Sequence, residues 1–278
     1  MVINVYKESG MTSRDVVNLL IKHFHTKKIG HTGTLDPLAS GVLIICTEED
    51  TKLVDIIMAK TKEYIATMQL GMQTDTGDIT GKTIATSSYN VNKNQIIQVL
   101  NAFIGTSIQT IPIYSAVKVN GRKLYDYARH HESVTLPQRE INISAIKVLE
   151  YHDNIIKFKV TVSKGTYIRS LIEDIAKKLG TLGTMVSLER TKQGSFSIQD
   201  SYTIANIISN NFKSIPLKDI FTSYDQISLD NASYFKVKNG AHMPLTTHEY
   251  VLYTYQDKPV ALYQNGLEDA HIYRMFHY

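Results

Sequence analysis

The sequence contains no tryptophan and a single cysteine, Cys46. One thiol forms neither an internal disulfide nor a multi-thiolate metal site, so both kinds of covalent or metal staple are excluded. A chain of 278 residues needs neither, because at this length roughly three quarters of the unfolded surface is buried on folding. Without a disulfide or a thiolate metal site, the chain is predicted to be stabilised by an ordinary hydrophobic core.

Long apolar runs are also missing. No stretch approaches the ~18–20 apolar residues that span a bilayer, and residues 1–8 lack a basic-then-apolar signal pattern. These absences predict a soluble protein of a reducing cytoplasm. The excess of positive charge is small, since 30 Lys and Arg residues oppose 26 acids. That balance excludes a bulk nucleic-acid coat but is compatible with a local basic groove.

Two phosphate-cradle motifs, G-x-x-x-x-G-K-[ST] and G-x-G-x-x-G, are absent as well. The histidine pairs at 23/25 and 130/131 lack the spacing and the carboxylate of a zinc helix. The segment 75–78 lacks the alternating acids and the terminal glutamate of a calcium loop. The sequence therefore predicts no metal and no organic cofactor.

The hydrophobic patterns that are present indicate a mixed α/β protein of the α+β class rather than a parallel doubly wound sheet. Val42–Cys46 is fully apolar, Glu63–Leu70 alternates with period two, and Ile141–Leu149 with Ile156–Val162 are typical of paired strands. The clearest helix is predicted over Thr166–Leu179. From about residue 225 short strands separated by polar turns predominate, so we expect a domain of residues 1–224 and a small β-rich domain of residues 225–278.

One loop, Gly30–Gly41, concentrates chemistry-bearing residues. Its three glycines permit tight turns, and one carboxylate, Asp36, precedes the rigid Pro37. An ordinary turn explains the Gly, Asp and Pro residues. It does not explain the histidine and the three hydroxyl side chains in the same dozen residues, so a turn and a functional loop both remain open on composition alone.

Eight blocks of sequence resemble, in the same order, those of the bacterial TruB family of tRNA pseudouridine-55 synthases. They cover about residues 5–200, and together they are far more specific than any single block. The blocks are Lys7–Ser13, Gly30–Leu43, Lys62–Tyr64, Gly71–Gly81, Ile111–Lys118, Gly121–Arg129, Ser163–Arg169 and Leu188–Thr191.

The resemblance implies a pseudouridine-synthase fold, with a central, largely antiparallel sheet flanked by helices and a small PUA-like RNA-binding domain at residues 225–278. It also implies an isomerase that converts the uridine of the tRNA T-loop into pseudouridine by breaking the C1′–N1 bond and making a C1′–C5 bond. The base must be flipped out of the folded RNA for this reaction. No metal or organic cofactor is implied, and the expected partner is tRNA, bound by a monomer.

The resemblance assigns three catalytic residues. Asp36 is the nucleophile, Arg169 is the cation that keeps its carboxylate ionised, and Tyr64 stacks on uracil and takes the C5 proton. From the residues alone, a surface arginine and a core tyrosine are the ordinary interpretations of Arg169 and Tyr64. Asp78 is implied as a second partner of Arg169 through a charge-assisted hydrogen bond.

The resemblance also assigns substrate contacts. His31 props the space that the flipped base leaves, for which a loop-stabilising hydrogen bond is the alternative, and Leu188 forms an apolar wall of the pocket. A tRNA-binding insertion at about residues 107–137 is expected to be long, irregular and mobile without RNA. The basic residues expected to contact the substrate are Lys7, Lys118, Arg122, Lys123, Arg129 and Arg190.

Two positions depart from the family pattern. Glu8 stands where a proline is usual, and Glu189 replaces an arginine beside Leu188, which removes one basic contact. Two other functions remain: a non-catalytic tRNA-binding or RNA-chaperone protein of the same fold, and an enzyme of free nucleosides. Asp36, Tyr64 and Arg169 together argue against the first, and the basic insertion argues against the second.

Overall fold

A computed structural model describes residues 1–58, 61–222 and 224–276. Residues 59, 60, 223, 277 and 278, which the predicted domains include, lie outside the described residues. None of the described helices is long and apolar enough to span a bilayer. The helices are α1 (Ser13–Phe24), α2 (Val54–Ile57), α3 (Lys93–Asn101), α4 (Leu124–Arg129), α5 (Ile168–Lys178), α6 (Ile204–Ile208), α7 (Leu217–Ile220) and α8 (Asn231–Lys238).

The strands up to residue 203 form one large sheet and two small hairpins. They are β1 (Val2–Lys7), β2 (Ile29–Thr32), β3 (Ser40–Thr47), β4 (Thr61–Leu70), β5 (Met72–Thr74), β6 (Thr83–Thr86), β7 (Gly105–Thr110), β8 (Lys118–Val119), β9 (Arg122–Lys123), β10 (Gln138–His152), β11 (Ile155–Ser163), β12 (Gly183–Gln193), β13 (Phe196–Ser197) and β14 (Tyr202–Thr203). A second sheet follows, with strands β15 (Asp225–Ser228), β16 (Tyr250–Tyr255), β17 (Lys258–Asn265) and β18 (Ala270–Met275).

The large sheet has ten strands in the order β14-β1-β3-β12-β4-β11-β10-β7, with β2 attached to β3 and β13 to β12. Its β1/β14 and β3/β12 pairs are parallel, and its other pairs are antiparallel. The largely antiparallel central sheet that the family resemblance implies is therefore confirmed. The parallel pairing of β3 with β12 joins segments that are about 150 residues apart in the chain, and it lies directly behind the loop 33–39.

Successive side chains of β4 point to opposite faces of the sheet, and those of one face are buried. Tyr64, Ala66, Met68 and Leu70 are buried in one hydrophobic cluster. Helix α5 has an apolar stripe formed by Ile168, Leu171, Ile172 and Ile175. This stripe faces the same cluster, so the helix packs against the sheet. Helix α5 begins at Ile168 rather than at Thr166, because residues 163–167 form the turn that leaves β11.

Strand β3 is buried on both faces, which explains why its sequence is apolar without alternation. Leu43 and Ile45 pack with the buried face of α1. Val42 and Ile44 lie in a cluster that includes residues of the second sheet, among them Leu252. The predicted division at residue 225 coincides with the start of β15, whereas the hydrophobic packing continues across it. The identity of residues 225–278 as a PUA-like domain stays a prediction.

Helix α1 begins with a capping box formed by Thr12 and Asp15. The Thr12 hydroxyl accepts a hydrogen bond from the Asp15 backbone N–H at 3.0 Å, and the Asp15 carboxylate accepts one from the Thr12 N–H at 2.8 Å. This start fixes where the preceding segment, residues 7–12, passes beneath the loop 33–39.

The insertion differs from its prediction, since it is not irregular throughout. Its first residues belong to β7, which pairs with β10 at the edge of the large sheet. A short hairpin, β8–β9, and helix α4 follow. The strand escaped detection because Gly105–Thr110 is mainly polar. It is held at its buried Gln109, whose amide bonds both the N–H and the carbonyl of Tyr167 at 2.8 and 3.1 Å.

Gly41 is required where β3 meets β12. It has a φ of +104°, and a β-carbon there would overlap the backbone carbonyl oxygen of Arg190. We expect Gly41→Ala to lower the free energy of unfolding by about 2–4 kcal/mol, from combined backbone strain and overlap, as measured by urea denaturation. Gly105→Ala is the matched control, because its φ is +110° but no atom lies within 4 Å of the added carbon. Equal losses in the two variants would show that the close approach costs nothing.

Candidate active site

The loop 33–39 carries Asp36 between β2 and β3 and is anchored on both sides of it. Leu35 and Ala39 are buried, while the Asp36 side chain keeps 36% of its surface exposed. The Ser13 hydroxyl donates to the Leu35 carbonyl at 3.2 Å and accepts from the Leu35 N–H at 2.9 Å. The Ala39 N–H donates to the Asp36 carbonyl at 3.0 Å. The carboxylate is therefore presented to solvent from a loop whose backbone is fixed.

Arg169 holds the carboxylate of Asp36. Its Nε lies 2.9 Å from Oδ2 of Asp36, and its Nη1 and Nη2 donate to the carbonyls of Thr76 and Tyr114 at 2.9 and 2.8 Å. The side chain is 6% exposed and lies in the first turn of α5. The predicted ion pair is present, and one guanidinium joins the loop, the 74–80 turn and the start of the insertion.

Asp78 is not a partner of Arg169, contrary to the prediction. Its Oδ1 accepts hydrogen bonds from the Thr76 hydroxyl, the Thr80 N–H and the Thr80 hydroxyl at 3.1, 2.9 and 2.5 Å. These local donors all bind Oδ1, and the hydrogen bonds from the Nη groups of Arg169 go to backbone carbonyls instead. Asp78 thus shapes the turn that presents the Thr76 carbonyl to Arg169, and its effect on Asp36 is indirect.

Tyr64 and Leu188 lie in the same hydrophobic cluster as Leu35 and Ala39, the two anchors of the loop. They are 6% and 7% exposed. Leu188 is paired with Ala66, two residues along β4 from Tyr64, so their side chains share one face of the sheet. The structure thus joins both residues to the loop that carries Asp36. Their contacts with a base stay predictions.

Lys7 was expected to contact the substrate, but it is fully buried beneath the loop. Its Nζ donates to the carbonyls of Met11, Glu8 and Pro37 at 2.5, 2.9 and 3.4 Å. Burial lowers the pKa of Lys7 to about 8, and the nearby charge of Asp36 opposes that shift. The ammonium group therefore fastens the N-terminal segment to the loop and is not open to RNA in this structure.

Arg190 is likewise fully buried rather than exposed for substrate binding. Its Nε donates to the Val42 carbonyl at 2.7 Å and its Nη2 to the Gly33 carbonyl at 3.0 Å. Burial lowers the pKa of the guanidinium, and the neighbouring hydroxyl of Tyr64 opposes this. The β3/β12 pairing places Arg190 behind both ends of the loop, and the sequence carried no signal of that pairing.

His31 lies on β2, where burial lowers its imidazole pKa and Arg14 and Arg190 lower it further. Its buried Nδ1 has no hydrogen-bond partner within the described residues. The lowered pKa favours the neutral imidazole, and the role of His31 in base flipping stays a prediction. Glu189, the departure beside Leu188, accepts a hydrogen bond from the Tyr6 hydroxyl at 3.2 Å.

The insertion is tied together internally. Arg122 makes two hydrogen bonds to the Glu132 carboxylate, at 2.6 and 3.1 Å, and its guanidinium lies 4.6 Å from the ring centre of Tyr127. Lys123 and Arg129 both lie over the ring of Tyr125, at 5.2 and 5.6 Å. Lys118 is exposed and forms no ion pair among the described residues. The four predicted phosphate contacts thus share one segment, but Arg122 is engaged within it.

In the described part of the chain, no three His, Cys, Asp or Glu residues are grouped so that they could hold a metal ion. The arrangement instead offers an exposed carboxylate paired with a buried cation above an apolar floor. Such a site suits nucleophilic catalysis on a flat, uncharged ring.

A model of the TruB family of pseudouridylate synthases, N-terminal domain, matches residues 22–168. The tRNA pseudouridine synthase B of Clostridium tetani is 45% identical over 242 residues, which cover 86% of this chain and 84% of that protein. The protein of the same name from Latilactobacillus sakei is 37% identical and covers 99% of this chain and 96% of its own length.

Two solved structures are similar over nearly the whole chain. An H/ACA RNP bound to a substrate RNA containing 2′-deoxyuridine has a TM-score of 0.74 at 25% identity, covering 100% of this chain and 85% of that one. A Cbf5-Nop10-Gar1 complex has a TM-score of 0.74 at 26% identity, covering 99% and 84%. This similarity extends across both sheets, so it confirms the predicted fold.

Replacing Arg169 by lysine tests whether the planar guanidinium organises the site. Lysine keeps one charge but does not reach Asp36 and two carbonyls together. We expect amide hydrogen exchange in residues 74–80 and 113–117 to accelerate by about tenfold or more, because charged hydrogen bonds to the backbone are lost. Arg14→Lys on the exposed face of α1 is the control. Unchanged exchange in both segments would show that net charge alone suffices.

Proposed function

The chain belongs to the TruB family of pseudouridylate synthases, and we propose that it isomerises the T-loop uridine-55 of tRNA with Asp36 as the nucleophile. It is thus an isomerase that makes pseudouridine in tRNA. The observation that supports the catalytic assignment is the 2.9 Å pair between the half-exposed Asp36 carboxylate and the buried guanidinium of Arg169. An opposite charge at this distance favours the ionised carboxylate, which is the form that attacks.

The reaction rearranges one glycosidic linkage without any external reactant. The C1′–N1 bond breaks, the detached uracil turns, a C1′–C5 bond forms, and the proton on C5 is removed while N1 gains one. Asp36 supplies an electron pair and forms a bond either to C1′ or to the uracil ring, and this bond breaks again before the product leaves, so that the carboxylate is restored. Tyr64 stacks on the base and accepts the C5 proton, and Leu188 forms part of the apolar wall. An apolar pocket suits a base that has left its stack.

The basic insertion supports an RNA substrate rather than a free nucleoside. Its cations belong to the same segment of chain as Tyr114, and the carbonyl of Tyr114 is bound by Arg169, which also binds Asp36. We assign Lys118, Lys123 and Arg129 to phosphate contacts, and Arg122 to the internal structure of the insertion. His31 occupies the space that the flipped base vacates. Residues 225–278 are assigned as a PUA-like RNA-binding domain, and the enzyme acts as a monomer.

Asp36→Asn separates catalysis from binding. The amide has the same shape as the carboxylate but is not an anionic nucleophile, so turnover should fall by at least about a thousandfold while RNA affinity stays within a few-fold. The measurements are pseudouridine mapping on T-loop RNA and a binding titration. Asp153→Asn, in the exposed turn between β10 and β11, is the charge-matched control. Binding without any pseudouridine from the wild-type protein would instead favour the non-catalytic RNA-binding function.

Single neutralisations in the insertion test its phosphate contacts. Lys118→Gln should weaken binding to all RNA sequences and reduce the slope of log affinity against log salt by about 0.7–0.9, since one contact is lost. Arg122→Gln should change the slope less and instead loosen the insertion, because the partner of Arg122 is Glu132. Lys93→Gln at the start of α3 serves as the control. Identical slopes for Lys118→Gln and the wild type would remove Lys118 from the interface.

A further inference from the structure

Lys62 on β4 directs its ammonium group toward the loop that carries Asp36. A carbon attached to the Gly33 α-carbon would lie 3.3 Å from Nζ of Lys62 and 3.6 Å from Nη1 of Arg190. Two cationic groups from adjacent strands thus converge on one point of the loop, three residues before Asp36. A β-carbon at position 33 would thus be in contact with both groups, which shows how closely the two cations approach the loop.

Among the described residues, no acid is paired with the cations that meet at this point. The charged groups that act on Lys62 are Arg190 and Lys164, and together with burial they lower the pKa of Lys62 to about 8. No acid forms an ion pair with Lys62 among the residues that the structure describes. The buried Nη1 of Arg190 also makes no hydrogen bond of ordinary geometry there, and the neighbour of this guanidinium on β4 is the uncharged hydroxyl of Tyr64. Burying unpaired positive charge is costly, so the free protein holds these groups at an energetic disadvantage.

The adjacent acid does not relieve the cluster. Glu63 follows Lys62 on β4 and therefore points to the opposite face of the sheet. There its carboxylate is bound by Lys159 at 2.9 Å and by the Thr191 hydroxyl at 2.8 Å. The cations also lie at graded depths, since Arg190 is fully buried, Lys62 half-buried and Lys164 exposed. An anion approaching from solvent meets Lys164 first and Lys62 next.

We propose that Lys62, with Lys164 beside it, binds a backbone phosphate of the RNA next to the uridine that enters the site. This inference rests on the proposed function, because it takes the RNA strand at Asp36 as the source of the anion. A phosphodiester supplies the missing negative charge and acceptor oxygens. It also fixes the backbone on one side of the flipped nucleotide, so that the sugar is held over Asp36. An ordinary solvated lysine would instead leave binding unchanged when it is neutralised.

The test uses the full chain in the Asp36→Asn background, so that binding is measured without turnover. Lys62→Met should weaken the binding of T-loop RNA by about tenfold and lower the salt slope by about 0.7–0.9, whereas Lys62→Arg should keep both near the parent values. Lys147→Met, an exposed residue of β10, is the matched control for net charge. Equal affinities and slopes for Lys62→Met and Lys147→Met would overturn the proposal.

A second measurement locates the phosphate. It compares the Asp36→Asn protein, which is the parent here, with the same protein carrying Lys62→Met. Methylphosphonate linkages are placed one at a time in the T-loop RNA, each removing one negative charge. One linkage beside the target uridine should weaken binding to the parent and have little further effect with Lys62→Met. If each linkage weakens binding equally in both proteins, Lys62 contacts no phosphate.

Two controls separate the possible failures. Lys62→Met removes an unpaired, half-buried cation, so its melting temperature should equal or exceed that of the parent. A lower value would point to a structural role for Lys62 and contradict the inference. Failure of the wild-type protein to form pseudouridine in T-loop RNA would refute the proposed function. Normal turnover, combined with unchanged binding by Lys62→Met, would refute the phosphate site alone.

Discussion

The pairing of Arg169 with Asp36 is the interaction on which the arrangement of the site depends. A guanidinium buried to this degree is costly unless every side of it is satisfied. Here one edge meets a carboxylate and the other two nitrogens meet backbone carbonyls at Thr76 and Tyr114. Three segments that are distant in the chain must therefore come together in one geometry. The same requirement that stabilises the fold also fixes the direction of the Asp36 carboxylate, the proposed nucleophile.

Two further buried cations bind the backbone of the loop that carries Asp36. Lys7 and Arg190 bind backbone carbonyls at Pro37 and Gly33, on the two sides of Asp36. Carbonyl acceptors fix the backbone but leave the positive charge of their donors uncancelled. The region around one carboxylate consequently carries an excess of cations, although the whole chain has a formal charge of only +4. A local field of this kind attracts the phosphates of an RNA strand.

The second sheet contributes to the support of this loop. Strand β3 begins where the loop ends, and it is buried on one face by α1 and on the other by a cluster that includes Leu252 and Leu262. A strand packed on both faces has little freedom to shift. The C-terminal strands thus stabilise the floor behind Asp36 even though none of their residues lies in the site itself.

The sequence by itself determined the parts of this protein that are local in the chain. Four features depend only on neighbouring residues: the Asp36 loop, the capping box of α1, the alternation of β4 and the apolar stripe of α5. The order of the sequence motifs along the chain identified the family. Only the tertiary structure decided which side chains are buried or bound where strands that are distant in the chain pair with one another. Lys7 and Arg190 carry charges that suggest RNA contacts, but pairing of β1 and β12 with β3 buries both beneath the loop. Oδ1 of Asp78 accepts hydrogen bonds from hydroxyl and amide donors of its own turn, and the spacing of residues in the sequence does not reveal this local pairing. The proposed role of Lys62 has the same origin, because only the pairing of β4 with β12 brings Lys62 and Arg190 together at the loop, where no acid of the described chain forms an ion pair with Lys62.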